Sequence, residues 1–148
     1  MLYLDSNINF PNPKFANPDG LLAIGGDLSE ERLLLAYHMG IFPWFEYEEP
    51  ILWWSPDPRF VLFPEKLKVS KSMRQILRNS DFVVTVNQDF DQVISECANA
   101  KRNGQAGTWI TEGMKKAYFK LHELGYAKSV EVWNHNKLVG GLYGIDLN

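Results

Sequence analysis

The sequence predicts an α+β fold, in which a small N-terminal lobe precedes a region of regular helices and strands. Residues 40–59 hold three of the five Trp and four of the eight Pro, whereas apolar residues after Asp81 follow strand and helix periodicities. With 148 residues and 45% hydrophobic content, the chain is long enough to bury a real core. We expect a lobe at 1–63, a basic linker or helix at 64–80, and an α+β region at 81–148.

The composition argues against several classes of protein. The net charge of −3 and the pI near 5.6 give no overall positive field, so any contact with RNA must come from a local basic patch. A single cysteine, Cys97, excludes an internal disulfide, and we expect it to be a small buried hydrophobe on a helix. No export signal and no apolar run long enough for a membrane helix is evident. We therefore expect a cytoplasmic protein with no membrane segment and no metal site.

The first 40 residues predict an extended arm followed by one helix. Residues 1–20 contain several prolines and asparagines and end in a turn at Asp19-Gly20. A helix is expected next, with Asp27 or Ser29 as its N-cap and Gly40 as its stop. The two glycines before it, Gly25-Gly26, are typical of a simple turn and could alternatively bind an anion on exposed amides.

Residues 40–59, GIFPWFEYEEPILWWSPDPR, form an unusual aromatic segment. Its four prolines fix φ and remove backbone donors, which predicts that neither a long helix nor a central strand runs through it. Rings on a stiffened chain lose little entropy when a nucleotide base stacks on them. The alternative is that the rings simply fill a core; the residues in question are Phe42, Trp44, Phe45, Trp53 and Trp54.

A basic stretch follows the aromatic segment. We expect a short strand at Phe60–Phe63, after which five cations face only Glu65, leaving a local charge of +4. Such a patch could hold a phosphate backbone, or it could be a solvated helix face. The cations are Lys66, Lys68, Lys71, Arg74 and Arg78.

From Asp81 the pattern becomes regular and predicts strand, helix, helix, strand, strand. Asn87 or Asp89 can cap the first helix; Thr111 can cap the second, which Gly125 ends. A Gly-rich loop at 103–107 separates the helices. The predicted strands are Phe82–Val86, Ala127–Trp133 and Leu138–Ile145.

Several motifs together resemble one family. They are GLLAIGGDLS at 20–29, GIFPWF at 40–45, ILWWSPDPR at 51–59, GTWIT at 107–111, LHELG at 121–125, VEVW at 130–133 and LVGGLYG at 138–144. In this order they resemble the leucyl/phenylalanyl-tRNA–protein transferases. The resemblance spans nearly the whole chain, and motifs of this length are highly specific.

The resemblance implies an enzyme that takes Leu or Phe, with Met as a further donor residue, from aminoacyl-tRNA. The amino acid is attached to proteins that begin with Arg or Lys, which tags them for degradation, without a metal or organic cofactor. It also implies that Trp44 and Trp109 line the site for the terminal adenosine, that Leu142 belongs to the side-chain pocket, and that the basic cluster approaches the tRNA acceptor stem. The order of elements agrees with the first half of a GNAT-like domain, the fold of this family.

The catalytic groups of the family have no match in this sequence and are expected beyond Asn148. Glu131 is a lone carboxylate on a predicted strand, and the three histidines, His38, His122 and His135, have no acid beside them. We therefore expect a truncated chain that transfers no amino acid by itself. One rival is a non-catalytic RNA-binding fragment. Another is a coenzyme A-dependent acetyltransferase, which is disfavoured because the only segment resembling a phosphate-cradling loop, at 101–106, precedes the second strand.

Overall fold

A computed structural model describes residues 2–100 and 108–148, and it has the expected α+β architecture with two separate sheets. The Gly-rich loop predicted at 103–107 and the segment at 101–106 lie outside the described residues. The elements, in chain order, are β1 (Leu2–Leu4), β2 (Leu21–Gly25), α1 (Glu30–His38), β3 (Phe42–Pro43), β4 (Leu52–Trp54), α2 (Lys71–Asn79), β5 (Val83–Val86), α3 (Phe90–Asn99), α4 (Glu112–Glu123), β6 (Ala127–Asn134) and β7 (Lys137–Ile145).

The first sheet belongs to the N-terminal lobe and has the strand order β1-β2-β4-β3. β1 is parallel to β2, and the other pairs are antiparallel. The sequence pattern predicts neither β1 nor β2. The prediction that no central strand crosses the aromatic segment is also wrong. β4 pairs on both sides because its three residues lie between Pro50 and Pro56, so each of them keeps its N–H.

α1 begins and ends where the sequence indicates. Ser29 is the N-cap residue, Asp27 Oδ1 accepts a hydrogen bond from its N–H at 2.9 Å, and Gly40 follows the helix with a φ of 73°. The anion-binding alternative for the two glycines before the helix is wrong. The amide of Gly25 donates to Ile51 O at 2.8 Å and that of Gly26 to Leu4 O at 3.2 Å, so both are occupied by the backbone.

The region between the sheets contains α2 but not the predicted strand at Phe60–Phe63. These residues are apolar but exposed, and they pair with no strand in the described part of the chain. A short 3-10 helix at Pro64–Lys66 follows. α2 then begins at a Ser70 cap whose hydroxyl oxygen accepts a hydrogen bond from the Met73 N–H at 3.1 Å.

The second sheet is antiparallel with the strand order β5-β6-β7, and α3 and α4, which connect β5 to β6, pack against it. The predicted caps of both helices are confirmed: Asp89 Oδ1 accepts from Gln92 N at 3.1 Å, and Thr111 Oγ1 accepts from Met114 N at 3.2 Å. Gly125 follows α4 with a φ of 85°. A Cβ on Gly141 of β7 would meet the Val93 methyl groups at 3.1 and 3.2 Å, so a glycine permits the close approach of α3.

One continuous core joins the two sheets. Buried side chains from β2, α1 and β4 pack in the same cluster as side chains from α3, α4 and β6. Ala23, Leu33, Trp53, Ile94 and Leu121 are all completely buried members of this cluster. The N-terminal lobe is therefore held against the rest of the protein by apolar contacts.

Across residues 2–100 and 108–148, the helices are all too short or too polar to cross a membrane. Over the same ranges, no three His, Cys, Asp or Glu side chains are grouped as metal ligands would be.

Candidate aminoacyl-adenosine site

Two of the predicted site residues lie around one cavity. Trp109, which is half-buried, and Leu142, which is 60% exposed, both line a cavity of about 350 Å³ between the N-terminal end of α4 and β7. We call it the aromatic cavity. Its full lining is Tyr37, Cys97, Trp109, Ile110, Tyr118, Gly141, Leu142, Tyr143, Gly144 and Ile145.

Two tyrosines in the cavity wall were not predicted as site residues. The hydroxyls of Tyr37 on α1 and Tyr118 on α4 share a hydrogen bond, and their rings meet edge to face with centroids 6.4 Å apart. By spacing, both belong to the apolar faces of their helices, which does not distinguish them from core residues. The available signal was the hydroxyl itself, because a buried tyrosine needs a polar partner.

Burial keeps both tyrosines neutral at physiological pH. It raises the pKa of Tyr37 to about 12, although the hydrogen bond from Tyr118 and the charge of Arg59 act in the opposite direction. Burial also raises the pKa of Tyr118 well above its ordinary value, and the proximity of Tyr37 adds to this. The pair can therefore donate and accept hydrogen bonds in the cavity wall but does not supply a charged base.

Trp44 is outside the lining of the aromatic cavity. The residue is 51% exposed, and its ring lies 6.2 Å from that of Trp54, centroid to centroid. The backbone around it is fixed, because Trp44 N donates to Leu52 O at 2.9 Å and Trp54 Nε1 donates to Trp44 O at 2.7 Å. An exposed ring on a fixed backbone suits stacking. In contrast, Trp53 is completely buried and donates Nε1 to Gly25 O at 2.9 Å.

The five predicted phosphate-binding cations are all exposed. The Lys66 ammonium lies 4.8 Å from the centre of the Phe63 ring. Lys71, Arg74 and Arg78 follow one face of α2 at helical spacing, while Met73, Ile76 and Leu77 follow the opposite face. None of the five cations pairs with a carboxylate within residues 2–100 and 108–148. Their charge is therefore available to a partner.

Glu131 is not the lone carboxylate that the sequence indicated. It is completely buried on β6 and accepts hydrogen bonds from the hydroxyls of Ser129 and Thr85, each at 2.5 Å. The amides of Gln88 and Asp89 donate to it from 3.3 and 3.4 Å. Burial pushes the pKa of Glu131 upward, but these four donors together lower it below its ordinary value. Glu131 thus joins the start of α3 to the sheet as a buried anion.

The remaining candidates are Cys97 and the three histidines. Cys97, predicted to be buried, is half-buried and lines the aromatic cavity. His122 Nδ1 lies 2.8 Å from Ala127 O, and its ring stacks on Phe90 with centroids 4.4 Å apart. His38 and His135 are exposed.

The described part of the chain is therefore of the α+β class, with a small aromatic-walled cavity and an exposed basic helix, α2. Comparison with known proteins gives the family. The family model described as leucyl/phenylalanyl-tRNA protein transferase matches residues 61–148, and the model of the N-terminal domain of that family matches residues 26–57. The chain belongs to the leucyl/phenylalanyl-tRNA–protein transferase family.

Individual relatives agree with this assignment. The chain is 61% identical over 140 residues to a leucyl/phenylalanyl-tRNA–protein transferase of Syntrophus aciditrophicus, and the match covers 95% of this chain and 59% of the relative. Identity to the Flavobacterium johnsoniae transferase is 59% over 147 residues, covering 99% and 69% respectively. Identity to the Escherichia coli O81 transferase is 56% over 141 residues, covering 94% and 59%. The chain thus spans between 59% and 69% of the length of these relatives.

Proposed function

We propose that the protein is an aminoacyltransferase that moves Leu or Phe, with Met as a further donor residue, from aminoacyl-tRNA to proteins with an N-terminal Arg or Lys. The tag would mark these proteins for degradation. The observation that carries the proposal is that Trp109 and Leu142 line the same cavity. In the family resemblance these two residues have different tasks, one at the adenine and one at the amino-acid side chain, and the two groups are adjacent in an aminoacyl-adenosine.

The size and lining of the aromatic cavity support this ligand. Small-molecule sites typically enclose roughly 300–1,000 Å³ and combine apolar walls with a few polar groups. At about 350 Å³ the cavity is small, and its polar groups include the paired hydroxyls of Tyr37 and Tyr118. Burial of an apolar side chain such as that of Leu or Phe against this lining is favourable, whereas burial of a charged side chain would cost it its hydration.

The reaction requires mainly positioning. The α-amine of the acceptor attacks the ester carbonyl, a C–N bond forms, the C–O bond to the ribose breaks, and the proton of the amine ends on the ribose oxygen. Since the ester is already activated, holding it against the amine supplies much of the rate. We propose that Trp44 and Trp109 hold the adenine, that Leu142 contacts the amino-acid side chain, and that the cations from Lys66 to Arg78 hold the tRNA backbone.

Two structural proposals accompany the function. The order and antiparallel pairing of β5, β6 and β7, with α3 and α4 between β5 and β6, support a GNAT-like arrangement from residue 81 onward. We keep the division at 1–63, 64–80 and 81–148 as a proposal for the functional regions. Because aminoacyl-tRNA is a cytoplasmic substrate, the cytoplasm is the compartment that we propose.

A second candidate is RNA binding without transfer. The unpaired cations on α2 favour it, since they can hold a tRNA backbone independently of the chemistry. The two candidates differ in what happens to the bound aminoacyl group, and turnover separates them.

The test is transfer of labelled Leu or Phe from charged tRNA to a peptide that begins with Arg, with the same peptide beginning with Asp as its control. We expect label on the Arg peptide only, and only when residues 1–148 are joined to the remaining part of a relative such as the Syntrophus aciditrophicus transferase, because the catalytic groups of the family have no match within these residues. We also expect Trp109→Ala to lower affinity for a non-hydrolysable phenylalanyl-adenosine by a factor that corresponds to about 1–3 kcal/mol of stacking free energy. Binding of charged tRNA without transfer by the extended protein would favour the second candidate, and failure of residues 1–148 to bind the adenosine mimic would contradict the proposed site.

A further inference from the structure

A second, larger cavity lies in the N-terminal lobe. It has a volume of about 660 Å³ and runs between residues 13–18 on one side and residues 55–59 on the other, with Gly40 also in its lining. We call it the lobe groove. Nothing in the proposed function uses it.

The walls of the lobe groove are fixed by the backbone. Ser55 N donates to Gly20 O at 2.7 Å, and a Cβ on Gly20, whose φ is 94°, would lie 2.8 Å from Pro56 Cα. On the other side, Asn17 Oδ1 accepts from Leu21 N at 2.8 Å. The groove is therefore formed before any ligand enters, which lowers the entropic cost of binding.

The lining of the lobe groove carries a net positive charge. Lys14 and Arg59 face it together with one carboxylate, that of Asp57, leaving +1. In the described part of the chain neither Lys14 nor Asp57 forms a side-chain ion pair. In a protein with a net charge of −3, a groove with excess positive charge favours an anionic ligand.

Arg59 is held in place at the edge of this groove. Its Nη1 donates to Gly40 O at 2.7 Å, and its guanidinium carbon lies 4.7 Å from the centre of the Phe42 ring. A guanidinium has five N–H groups in a planar fork that matches a phosphate, and one bond to a carbonyl leaves the others for a ligand. Its side chain is ordered by these contacts, so little further entropy is lost on binding.

Arg59 also connects the lobe groove to the aromatic cavity. Its charge acts on the hydroxyl of Tyr37, and Tyr37 lines the aromatic cavity. Gly40, which accepts the hydrogen bond from Arg59, follows Tyr37 closely in the chain and lines the groove. A ligand that occupied both cavities would thus pass beside this guanidinium.

Building on the proposed function, we propose that the lobe groove binds the phosphodiester backbone of the single-stranded 3′ end of aminoacyl-tRNA, with Arg59 and Lys14 contacting the phosphates next to the terminal adenosine. Single-stranded nucleic acid is typically held by cations along its backbone and by aromatic stacking on its bases. The lobe groove supplies the cations. The aromatic cavity and Trp44 supply the rings.

The test compares two ligands that differ in phosphates. One is non-hydrolysable phenylalanyl-adenosine, which has none; the other is the same group on the trinucleotide CCA, which has two phosphodiesters. We expect the wild-type protein to bind the trinucleotide more tightly and Arg59→Gln to lower that affinity about tenfold, the effect of one charge-assisted hydrogen bond. Affinity for phenylalanyl-adenosine should stay unchanged. The salt dependence for the trinucleotide should flatten by roughly 0.7 for each phosphate that the variant no longer binds.

Two further variants guard against loss of folding. Lys14→Gln removes the second cation without touching the contacts of Arg59, and should lower only trinucleotide affinity. Lys120→Gln, on the surface of α4, removes the same charge elsewhere and should change neither affinity.

Each outcome has one meaning. Equal wild-type affinity for the two ligands, or loss of phenylalanyl-adenosine affinity in Arg59→Gln, overturns the phosphate role while the proposed function stands. A peptide ligand would give a different pattern. In that case Arg59→Gln keeps full trinucleotide affinity, and an acidic peptide displaces the trinucleotide from the wild type but not from Arg59→Gln. This result would assign the groove to a peptide and would also overturn the phosphate role. If the wild type binds neither ligand, the proposed function fails together with the inference.

Discussion

Trp44 and Trp53 show, at the scale of single residues, how one aromatic segment can serve two purposes. Trp53 is completely buried with its Nε1 bonded to Gly25 O, whereas Trp44 is 51% exposed. Of the two interpretations that the sequence left open, the core applies to Trp53, and the exposure of Trp44 leaves its ring free for the proposed stacking. An exposed ring contributes little to stability and is available to a ligand.

We predict that Trp44→Ala weakens binding of phenylalanyl-adenosine by about 1–3 kcal/mol and changes the free energy of unfolding much less. Trp53→Ala is the matched control, and should cost about 3–5 kcal/mol of stability because it leaves a cavity. Calorimetry and urea denaturation measure the two quantities. Unchanged affinity with a large loss of stability in Trp44→Ala would show that this ring is a core residue.

Glu131 illustrates a buried charge that is stabilised by donors and not by a cation. Its pKa is lowered from an ordinary value of 4.5, since the four hydrogen bonds outweigh burial. A lowered folded-state pKa contributes stability that is fully present above the unfolded-state pKa. This contribution is lost as the pH falls through the folded-state value.

We predict that Glu131→Gln lowers the free energy of unfolding at pH 7 by about 1–3 kcal/mol, because a neutral amide cannot accept four hydrogen bonds. The difference between wild type and variant should narrow below pH 4.5, where the wild type loses its own contribution. Urea denaturation at pH 7 and pH 4 measures this. Glu123→Gln, on the exposed end of α4, is the control and should fall within about 0.5 kcal/mol of wild type. A constant difference at both pH values would contradict the ionised state of Glu131.

At the scale of elements, α2 is the most unusual helix, since cations line one of its faces and exposed apolar side chains the other. Helical spacing places three cations, Lys71, Arg74 and Arg78, on the same face. α4 carries three lysines, as many Lys and Arg residues as α2, but Lys115 and Lys120 pair with Glu112 and Glu123. Since the α2 cations have no such carboxylate partners in the described part of the chain, this helix is the better candidate for a phosphate backbone.

We predict that replacing Lys68, Lys71 and Arg74 by Gln lowers tRNA affinity and flattens its dependence on salt by roughly 0.7–0.9 for each phosphate that is released. The control replaces Lys115, Lys116 and Lys120 of α4, which removes the same charge from another helix. Titrations at several salt concentrations give the slopes. If the triple variant at Lys68, Lys71 and Arg74 has the same salt-dependence slope as the wild type, the cationic face is only a solvated surface.

At the scale of the whole molecule, the two sheets share one core, so the N-terminal lobe is not an independent unit. α1 supplies Leu33 and Ala36 to a cluster that also contains Met114 and Leu121 of α4. The same contact brings Tyr37 to Tyr118 and thereby forms part of the aromatic cavity. Loss of this packing would remove the site and the stability together.

We predict that the two sheets unfold in one cooperative transition. Hydrogen exchange of the Ala23 amide in β2 and the Val132 amide in β6 should report the same free energy of opening, within about 1 kcal/mol, if both follow global unfolding. Leu33→Ala should lower both values together by about 2–5 kcal/mol. Two well-separated values would show that the lobe opens alone.

The sequence by itself determined the helices and strands after residue 81 and the ends of α1. Periodicity, the caps at Asp89 and Thr111, and the glycine stops are local signals, because they depend on residues a few positions apart. The family could also be recognised from motifs that are continuous in the chain. The aromatic and basic candidates came from the same continuous segments.

Only the tertiary structure decided the rest. Pairing β4 between β2 and β3 depends on partners far along the chain, and no local pattern distinguishes it from the strand that fails to form at 60–63. The Tyr37–Tyr118 contact joins residues 81 positions apart, and three of the four donors to Glu131 lie 42 to 46 positions away. A buried polar group is stabilised by whichever donors the fold brings to it, so its role becomes visible only when the elements are packed.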